Sequence, residues 1–516
     1  MIVIYLIILT YVLSIYVLKL DRHNLFKEKK RLISVGIAIL AVVCGFSLFI
    51  QSSRFDNSLK IKMFKPQESY RKYGDYLTFT HSIRYIKGHK PEGYSEDKVE
   101  QISAQYPGIK GNGKKPNIIM IMNEALADFS SISDIETNED YMPFIHGLTE
   151  NTVKGDLFVS IFGGGTSKTE YEALTSNSMA FMPKGSTPYV TYINRKTSSL
   201  ATTLRAQGYG GMVAMHPYKG SGYKRNKVYP LLGFDKFYDL PEFNNAKVIR
   251  NHVSDEGNFD KIIEVYEQNR KKDKKPFFLF DVTMQNHSSY DRKWDNLSDD
   301  ISTIKDYGDD VNIYLNLVKA SDDAFKKLVE YFSNVDEPTM IIMFGDHQPA
   351  VEQEFYEELY GKSLSKLLTE ELQQRYKIPF VIWANYDIES QDDLKTSPNY
   401  LSDLLLDTAN VPKNEIENFT SEVRNDVPQI NAMGHYDSDG NWVSRDEDTS
   451  NALDEYEAVE YYMLTRKENK DAKRIKTIRN KLSKAKPCFN FFSLYPFLAK
   501  KSAVEIPLWT VISFLA

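Results

Sequence analysis

Four short stretches, far apart in the chain, carry residue types that together could hold one metal ion and one phosphate ester. They are Pro116–Glu124 (PNIIMIMNE), Gly163–Glu170 (GGGTSKTE), Met284–His287 (MQNH) and Met340–His347 (MIIMFGDH). In the last, an apolar run ends in the adjacent pair Asp346 and His347. A carboxylate and a neutral imidazole side by side suit a divalent ion such as Mn²⁺, Mg²⁺ or Zn²⁺. Glu124 follows another apolar run, where it is either a further ligand or an acid at a helix N-terminus. Thr166 follows three glycines and opens a helical stretch. Glycine lets the backbone approach an anion, and the helix start adds amides and a favourable dipole. A hydroxyl there could be a nucleophile activated by a nearby metal, or a helix cap in the pattern Thr-Ser-Lys-Thr-Glu. His287 could protonate a leaving alkoxide, bind a phosphate oxygen, or be an ordinary loop histidine. The chemistry of such a set is metal-assisted transfer from phosphate or sulfate esters.

A fifth stretch, His216–Asp235, is rich in cationic and aromatic groups. His216 ends the apolar run Gly211–Met215, Arg225 offers a bidentate fork for phosphate, and Tyr223 offers a ring for a small polyol headgroup.

These residues need a scaffold that brings strand ends together. The apolar runs at 118–122, 211–215, 277–282, 340–344 and 380–383 read as buried strands of a mainly parallel sheet. Between them, 198–207, 260–269, 311–332 and 363–375 show helical spacing. The alternation predicts an α/β domain with helices on both faces and the site at the carboxyl ends of the strands.

The 516 residues allow this domain over 116–430 plus flanking segments. A net charge of −6, from 64 basic and 70 acidic residues, gives no field for nucleic acid. Only two cysteines occur, Cys44 and Cys488, and neither suggests zinc or redox work. Residues 2–18 and 32–50 are uncharged runs, each near the length of a membrane span. The segment Lys19–Arg31 between them holds six Lys/Arg against two acids. It is expected in the cytoplasm, which places everything after Gln51 outside. Residues 1–51 therefore read as a transmembrane helical hairpin and 52–115 as a juxtamembrane connector. Residues 431–516 read as a C-terminal extension, with a helix over 451–466, a basic segment over 467–486 and an apolar tail too short to span.

In order along the chain stand Asn123-Glu124, Gly165-Thr-Ser-x-x-Glu170, His216 with Tyr218-Lys219 and Arg225, Gly233-Phe-Asp-Lys-Phe-Tyr238, Asn286-His287 and Gly345-Asp-His347. With these the chain resembles the lipoteichoic acid synthase-like phosphoglycerol transferases of the alkaline phosphatase/sulfatase superfamily. The resemblance covers residues 116–430 and implies a sulfatase-like fold. It implies Glu124, Thr166, Asp346 and His347 as ligands of a Mn²⁺-type ion, Thr166 as nucleophile, and His216, Tyr223, Arg225 and His287 as substrate contacts. It differs in having two apolar N-terminal runs where that family has five membrane helices, and Tyr223 where tryptophan is common. No Cys/Ser-x-Pro-x-Arg word surrounds Thr166, which argues against sulfatase activity. The expected protein is a multi-pass membrane-anchored enzyme of the cell envelope with an extracytoplasmic catalytic domain. It would move glycerol phosphate from phosphatidylglycerol to a glycolipid, a teichoic-acid-type polymer or a surface glycan. Phosphoethanolamine transfer by the same threonine and a non-catalytic surface binding module are the alternatives.

Overall fold

The computed structural model describes residues 71–74, 90–109, 115–183, 185–445 and 450–466, together with isolated positions elsewhere before residue 115. The two N-terminal apolar runs, the basic segment 467–486 and the apolar tail lie outside the described residues. Among the described residues no helix is long and apolar enough to cross a membrane.

Eight strands form one sheet: β1 (Asn117–Asn123), β2 (Thr152–Phe158), β3 (Met212–Met215), β4 (Lys236–Tyr238), β5 (Phe278–Val282), β6 (Thr339–Gly345), β7 (Lys377–Ala384) and β8 (Gln391–Thr396). Their order is β8-β2-β7-β6-β1-β5-β3-β4. Only β7 pairs antiparallel with its neighbours; the other pairings are parallel. The five apolar runs singled out from the sequence are β1, β3, β5, β6 and β7, the middle of this sheet. They read as unbroken apolar runs because both faces are covered. Ile118, Met120 and Met122 of β1 pack into one core with Phe278, Phe280, Met340 and Ile342. Ile119 and Ile121 pack into the other with Leu279, Ile341 and Met343. The strands β2, β4 and β8 carry polar residues and escape an apolar pattern; β4 and β8 are the sheet edges, where polar side chains are tolerated.

On the first face lie α1 (Ser167–Thr175) and α5 (Leu401–Thr408), and on the second α3 (Asp255–Lys272) and α4 (Asp309–Ser333). The short helix α2 (Arg225–Leu231) follows β3. The helix expected over 363–375 is instead three short turns, Leu364–Lys366, Thr369–Leu372 and Gln373–Tyr376. Leu367 and Leu368 are extended there, Leu368 is 68% exposed, and Glu371 accepts from the Leu368 amide at 2.7 Å. Without a buried stripe, local capping wins over continuation.

The described residues up to Leu464 form one compact unit. Its final helix, α6 (Asn451–Thr465), buries Leu453, Tyr456 and Val459 against Val99 and Ile102 of the helix Glu96–Gln105 and against Tyr400 and Phe419. Tyr456 also donates to the Ser176 carbonyl at 2.7 Å, and Glu460 accepts from the Tyr171 hydroxyl at 3.0 Å and the Ser178 amide at 2.7 Å. Chain on both sides of the sheet-forming residues thus braces the C-terminal end of α1. Truncating Tyr456 to Ala should cost about 3–5 kcal/mol, the usual loss for a fully buried aromatic. Denaturant unfolding of the full chain measures it, and a loss under about 1 kcal/mol would show that α6 is not part of this fold.

Candidate active site

Parallel register brings the distant carboxylates together. Asn123 of β1 pairs with Gly345 of β6, and Met122 pairs with Val282 of β5. The next residues, Glu124, Asp346 and Thr283, therefore leave the sheet at one level. Gly345 is required by the close packing at this exit: a Cβ there would stand 2.0 Å from the Leu126 carbonyl oxygen. Ala125, whose φ is +50°, turns the chain and donates its amide to Asp346 Oδ1 at 2.8 Å. The Glu124 amide donates to Thr283 Oγ1 at 3.0 Å.

Thr166 reaches the same place from the opposite side. Gly163, Gly164 and Gly165 all have positive φ, at 65°, 139° and 105°, a path that a side chain would strain. The loop then enters α1, with Thr166 as its first flanking residue. Its hydroxyl caps no backbone amide of the helix; instead Oγ1 lies 3.4 Å from Glu124 Oε2 as donor. Thr169 fixes the loop to its neighbour by donating to the Asp346 carbonyl at 2.9 Å.

Glu124, Asp346 and His347 are buried, and one ligand atom of each lies within 4.8 Å of the others. His347 Nε2 is 3.2 Å from Asp346 Oδ2 and 3.8 Å from Glu124 Oε1. Its Nδ1 sits 2.9 Å from the Gln348 carbonyl, which can only accept. The proton is therefore on Nδ1, and the Nε2 lone pair faces the two carboxylates. Asp346 Oδ2 and His347 Nε2 are both buried without a hydrogen-bond partner. Burial and the Asp346 charge push Glu124 up to about 8, against the opposing pull of His347, Arg225 and the Thr166 hydrogen bond. Two orphaned ligand atoms and two crowded carboxylates fit a divalent cation, because ligands of one such ion lie roughly 3–4 Å apart.

Arg225 and Tyr223 border this cluster. Arg225 is buried and donates from Nε, at 2.9 Å, and from Nη2 to Glu170 of α1, which also accepts from Tyr229 at 2.8 Å. Its guanidinium carbon lies 5.2 Å from the centre of the Tyr223 ring. Burial raises Tyr223 to about 12, against the opposing pull of Arg225 and with the Glu124 charge adding to it. His216 is buried and lies 2.9 Å through Nδ1 from the Val282 carbonyl, again leaving Nε2 as the acceptor. Burial, then Arg225, holds it well below the usual histidine range and so neutral. His287 stands apart: it is exposed, its Nδ1 is 2.8 Å from the Ser288 carbonyl, and no hydrogen bond ties it to the buried cluster.

Sequence reasoning missed the supports. Glu170 appears there only as a motif letter, not as the carboxylate that aims Arg225. A buried network, in which Asn123 donates to Asp255 (2.7 Å), Ser321 donates to Asp255 (2.6 Å) and Asn286 donates to Asn123 (3.1 Å), fixes the residue preceding His287. Its members come from four elements, and no spacing rule links them.

Two outcomes follow. The metal-loaded full chain should carry about one divalent ion per molecule by elemental analysis, and Asp346→Ala should lower that at least tenfold. Mn²⁺ at a hundred times its dissociation constant should stabilise the wild type by about 2.7 kcal/mol and leave Asp346→Ala unmoved; equal shifts in both would contradict the site. Separately, Arg225→Ala should destabilise by about 3–5 kcal/mol, because Glu170 is left buried and unpaired.

Comparison with known proteins agrees with this architecture. A family model described as Sulfatase matches residues 116–411. A Rhizobium meliloti protein provisionally named a cyclic β-1,2-glucan modification protein is 28% identical over 462 residues, covering 86% of this chain and 65% of its own. Lipoteichoic acid synthase 1 of Bacillus subtilis is 28% identical over 309 residues, covering 56% and 45%. The chain thus spans less than two thirds of the length of either relative. Among solved structures, the Streptococcus pyogenes phosphoglycerol transferase GacH, in complex with sn-glycerol-1-phosphate, superposes with a TM-score of 0.60 at 19% identity, covering 76% of this chain and 98% of that one. The Listeria monocytogenes lipoteichoic acid synthase LtaP gives 0.53 at 18% identity, covering 71% and 96%. With more than half its length matched by that model and with this sheet and site, the chain belongs to the sulfatase family.

Proposed function

We propose that this protein is a metal-dependent phosphoglycerol transferase that works through a covalent threonine. The observation that carries the reading is the Thr166 hydroxyl, held 3.4 Å from Glu124 beside the buried Asp346–His347 pair. A helix-capping threonine has no reason to turn from the free amides of α1 towards carboxylates. Glu124, Thr166, Asp346 and His347 would hold a divalent ion, with Mn²⁺ the expected metal, which would supply positive charge for the hydroxyl's ionisation and for the phosphate oxygens. Glu124 Oε2 accepts the Thr166 proton. Thr166 Oγ bonds to phosphorus, and the bond from phosphorus to the departing lipid oxygen breaks. The guanidinium of Arg225, aimed by Glu170, faces the phosphate, while the neutral His216 accepts from a headgroup hydroxyl and Tyr223 packs against its carbons. His287, exposed at the rim, is placed to hand a proton through Nε2 to the leaving oxygen. In the second half an acceptor hydroxyl gives its proton to His287 as its oxygen bonds to phosphorus, the bond from phosphorus to Thr166 Oγ breaks, and Glu124 returns the proton to Thr166.

The donor proposed is phosphatidylglycerol, so that diacylglycerol leaves; the acceptor is a glycolipid, a teichoic-acid-type polymer or a surface glycan. Support for glycerol phosphate comes from the fold shared with GacH and LtaP and from the absence of a sulfatase nucleophile word around Thr166. The two N-terminal apolar runs would anchor the enzyme in the cell membrane, with the catalytic unit outside and its local concentration of lipid donor raised.

The test is incubation of the full chain with phosphatidylglycerol and Mn²⁺, followed by mass spectrometry of the peptide containing Thr166. A glycerophosphate adduct and released diacylglycerol are expected. Thr166→Ala should lower turnover on the order of 10³-fold or more while metal content persists. An adduct formed only with phosphatidylethanolamine would overturn the donor, and turnover undiminished in Thr166→Ala would overturn the mechanism.

A further inference from the structure

Beyond the metal cluster lies a cavity of about 340 Å³, walled by the hairpin Val248–Val253 and the loop that follows His287. Such a volume is at the small end of ligand sites, about 300–1,000 Å³. We propose that this cavity is the acceptor subsite and that it takes a neutral carbohydrate, packed against Trp294; this rests on the transferase reading above.

The cavity is built rather than incidental. Arg250, buried at the hairpin tip, donates from Nη1 to the Ser289 carbonyl (2.7 Å) and from Nη2 to the carbonyls of Gln285 and His287 (both 2.6 Å). Asn296 ties the other wall: its side chain accepts from the Arg250 amide (3.0 Å) and donates to the Arg250 carbonyl (3.1 Å). Both walls are therefore tied together by side-chain hydrogen bonds.

Its chemistry favours hydroxyls over phosphate. Asp291 lines the cavity and offsets one of its two guanidinium charges, those of Arg250 and Arg292. The Nη groups of Arg250 are taken by carbonyls, and the Arg292 guanidinium lies 4.0 Å from the centre of the Trp294 ring. What remains is a set of matched donors and acceptors, Ser288, Asp291, Arg292 and His252, around a half-buried indole. Burial, with Arg250 and His287, lowers His252 to about 4, so near neutral pH its imidazole is uncharged and can both give and accept a hydrogen bond. Sugars present that combination, hydroxyls at the edges and apolar C–H faces for a ring.

Position makes it an acceptor site. The His252 ring centre is 5.9 Å from that of His287. A sugar hydroxyl in the cavity would stand beside His287, whose preceding residue Asn286 is hydrogen-bonded to Asn123, the neighbour of Glu124.

The experiment measures binding to the detergent-solubilised full chain by saturation-transfer difference NMR. Probes are soluble neutral oligosaccharides of glucose, galactose and N-acetylglucosamine, with glycerol phosphate for comparison; vesicles containing diglucosyldiacylglycerol test the same chemistry on a lipid. Saturable sugar binding is expected, weakened at least tenfold in Trp294→Ala and kept within about threefold in Trp294→Phe, with both variants melting as the wild type does. Binding of soluble sugars assigns a free or polymeric glycan, binding of the vesicles alone assigns a glycolipid headgroup, and either supports the subsite. No sugar binding by the wild type in any form, equal binding by Trp294→Ala, or glycerol phosphate binding that Trp294→Ala alone abolishes would overturn it. Failure of the Thr166 adduct with sugar binding intact would instead remove the transferase reading and leave a carbohydrate site.

Discussion

The structure depends on the pairing of Asn123 with Gly345, the last rung between two parallel central strands. Everything chemical follows from where those strands stop. Because both run the same way and end level, the residues after them, Glu124 and Asp346, emerge side by side although 222 positions separate them. A slip of one residue would reverse each side chain to the opposite face. That register is protected on both sides by apolar layers and by a glycine whose replacement would strike the Leu126 carbonyl. The proposed metal centre is in this sense a property of the sheet.

Bringing two carboxylates into a dry crevice is unfavourable unless positive charge is supplied. The chain supplies part of it through Arg225, yet that guanidinium is already shared with buried Glu170. His347, whose Nδ1 faces the Gln348 carbonyl, turns the Nε2 lone pair to the cluster. The remaining deficit is what a divalent ion would cancel, and the raised Glu124 is its electrostatic sign. Arg225 has a double duty on this view: it holds α1 to α2 through Glu170 and faces the cluster in which Thr166 lies. Positioning of the proposed nucleophile and of the phosphate would thereby be mechanically linked.

How much of this could be read from the amino acids follows from which forces are local. The five central strands were legible because burial on two faces makes Ile118–Met122 or Met340–Phe344 almost purely apolar. The edge strands Lys236–Tyr238 and Gln391–Thr396 were not, since they are short or largely polar, with Lys236 and Gln391–Asp393 exposed and Phe237, Tyr238 and Leu394 packed inward. At the site, the residues after apolar runs could be singled out because parallel sheets place strand ends together. The partners that aim those residues could not. Glu170 and Arg225 are 55 positions apart, and Asp255, Ser321 and Asn286 meet Asn123 only through tertiary packing. The helix expected at 363–375 failed for the converse reason: its spacing was right, but Leu364 alone of its leucines packs against a core while Leu368 is exposed.

The most direct measurement is a crystal structure of the Mn²⁺-loaded protein with anomalous scattering at the manganese edge. The account predicts one strong peak within about 2.0–2.3 Å of oxygen or nitrogen atoms from all four of Glu124, Thr166, Asp346 and His347. A peak bound elsewhere, or one that leaves the Thr166 oxygen outside its coordination shell, would contradict it.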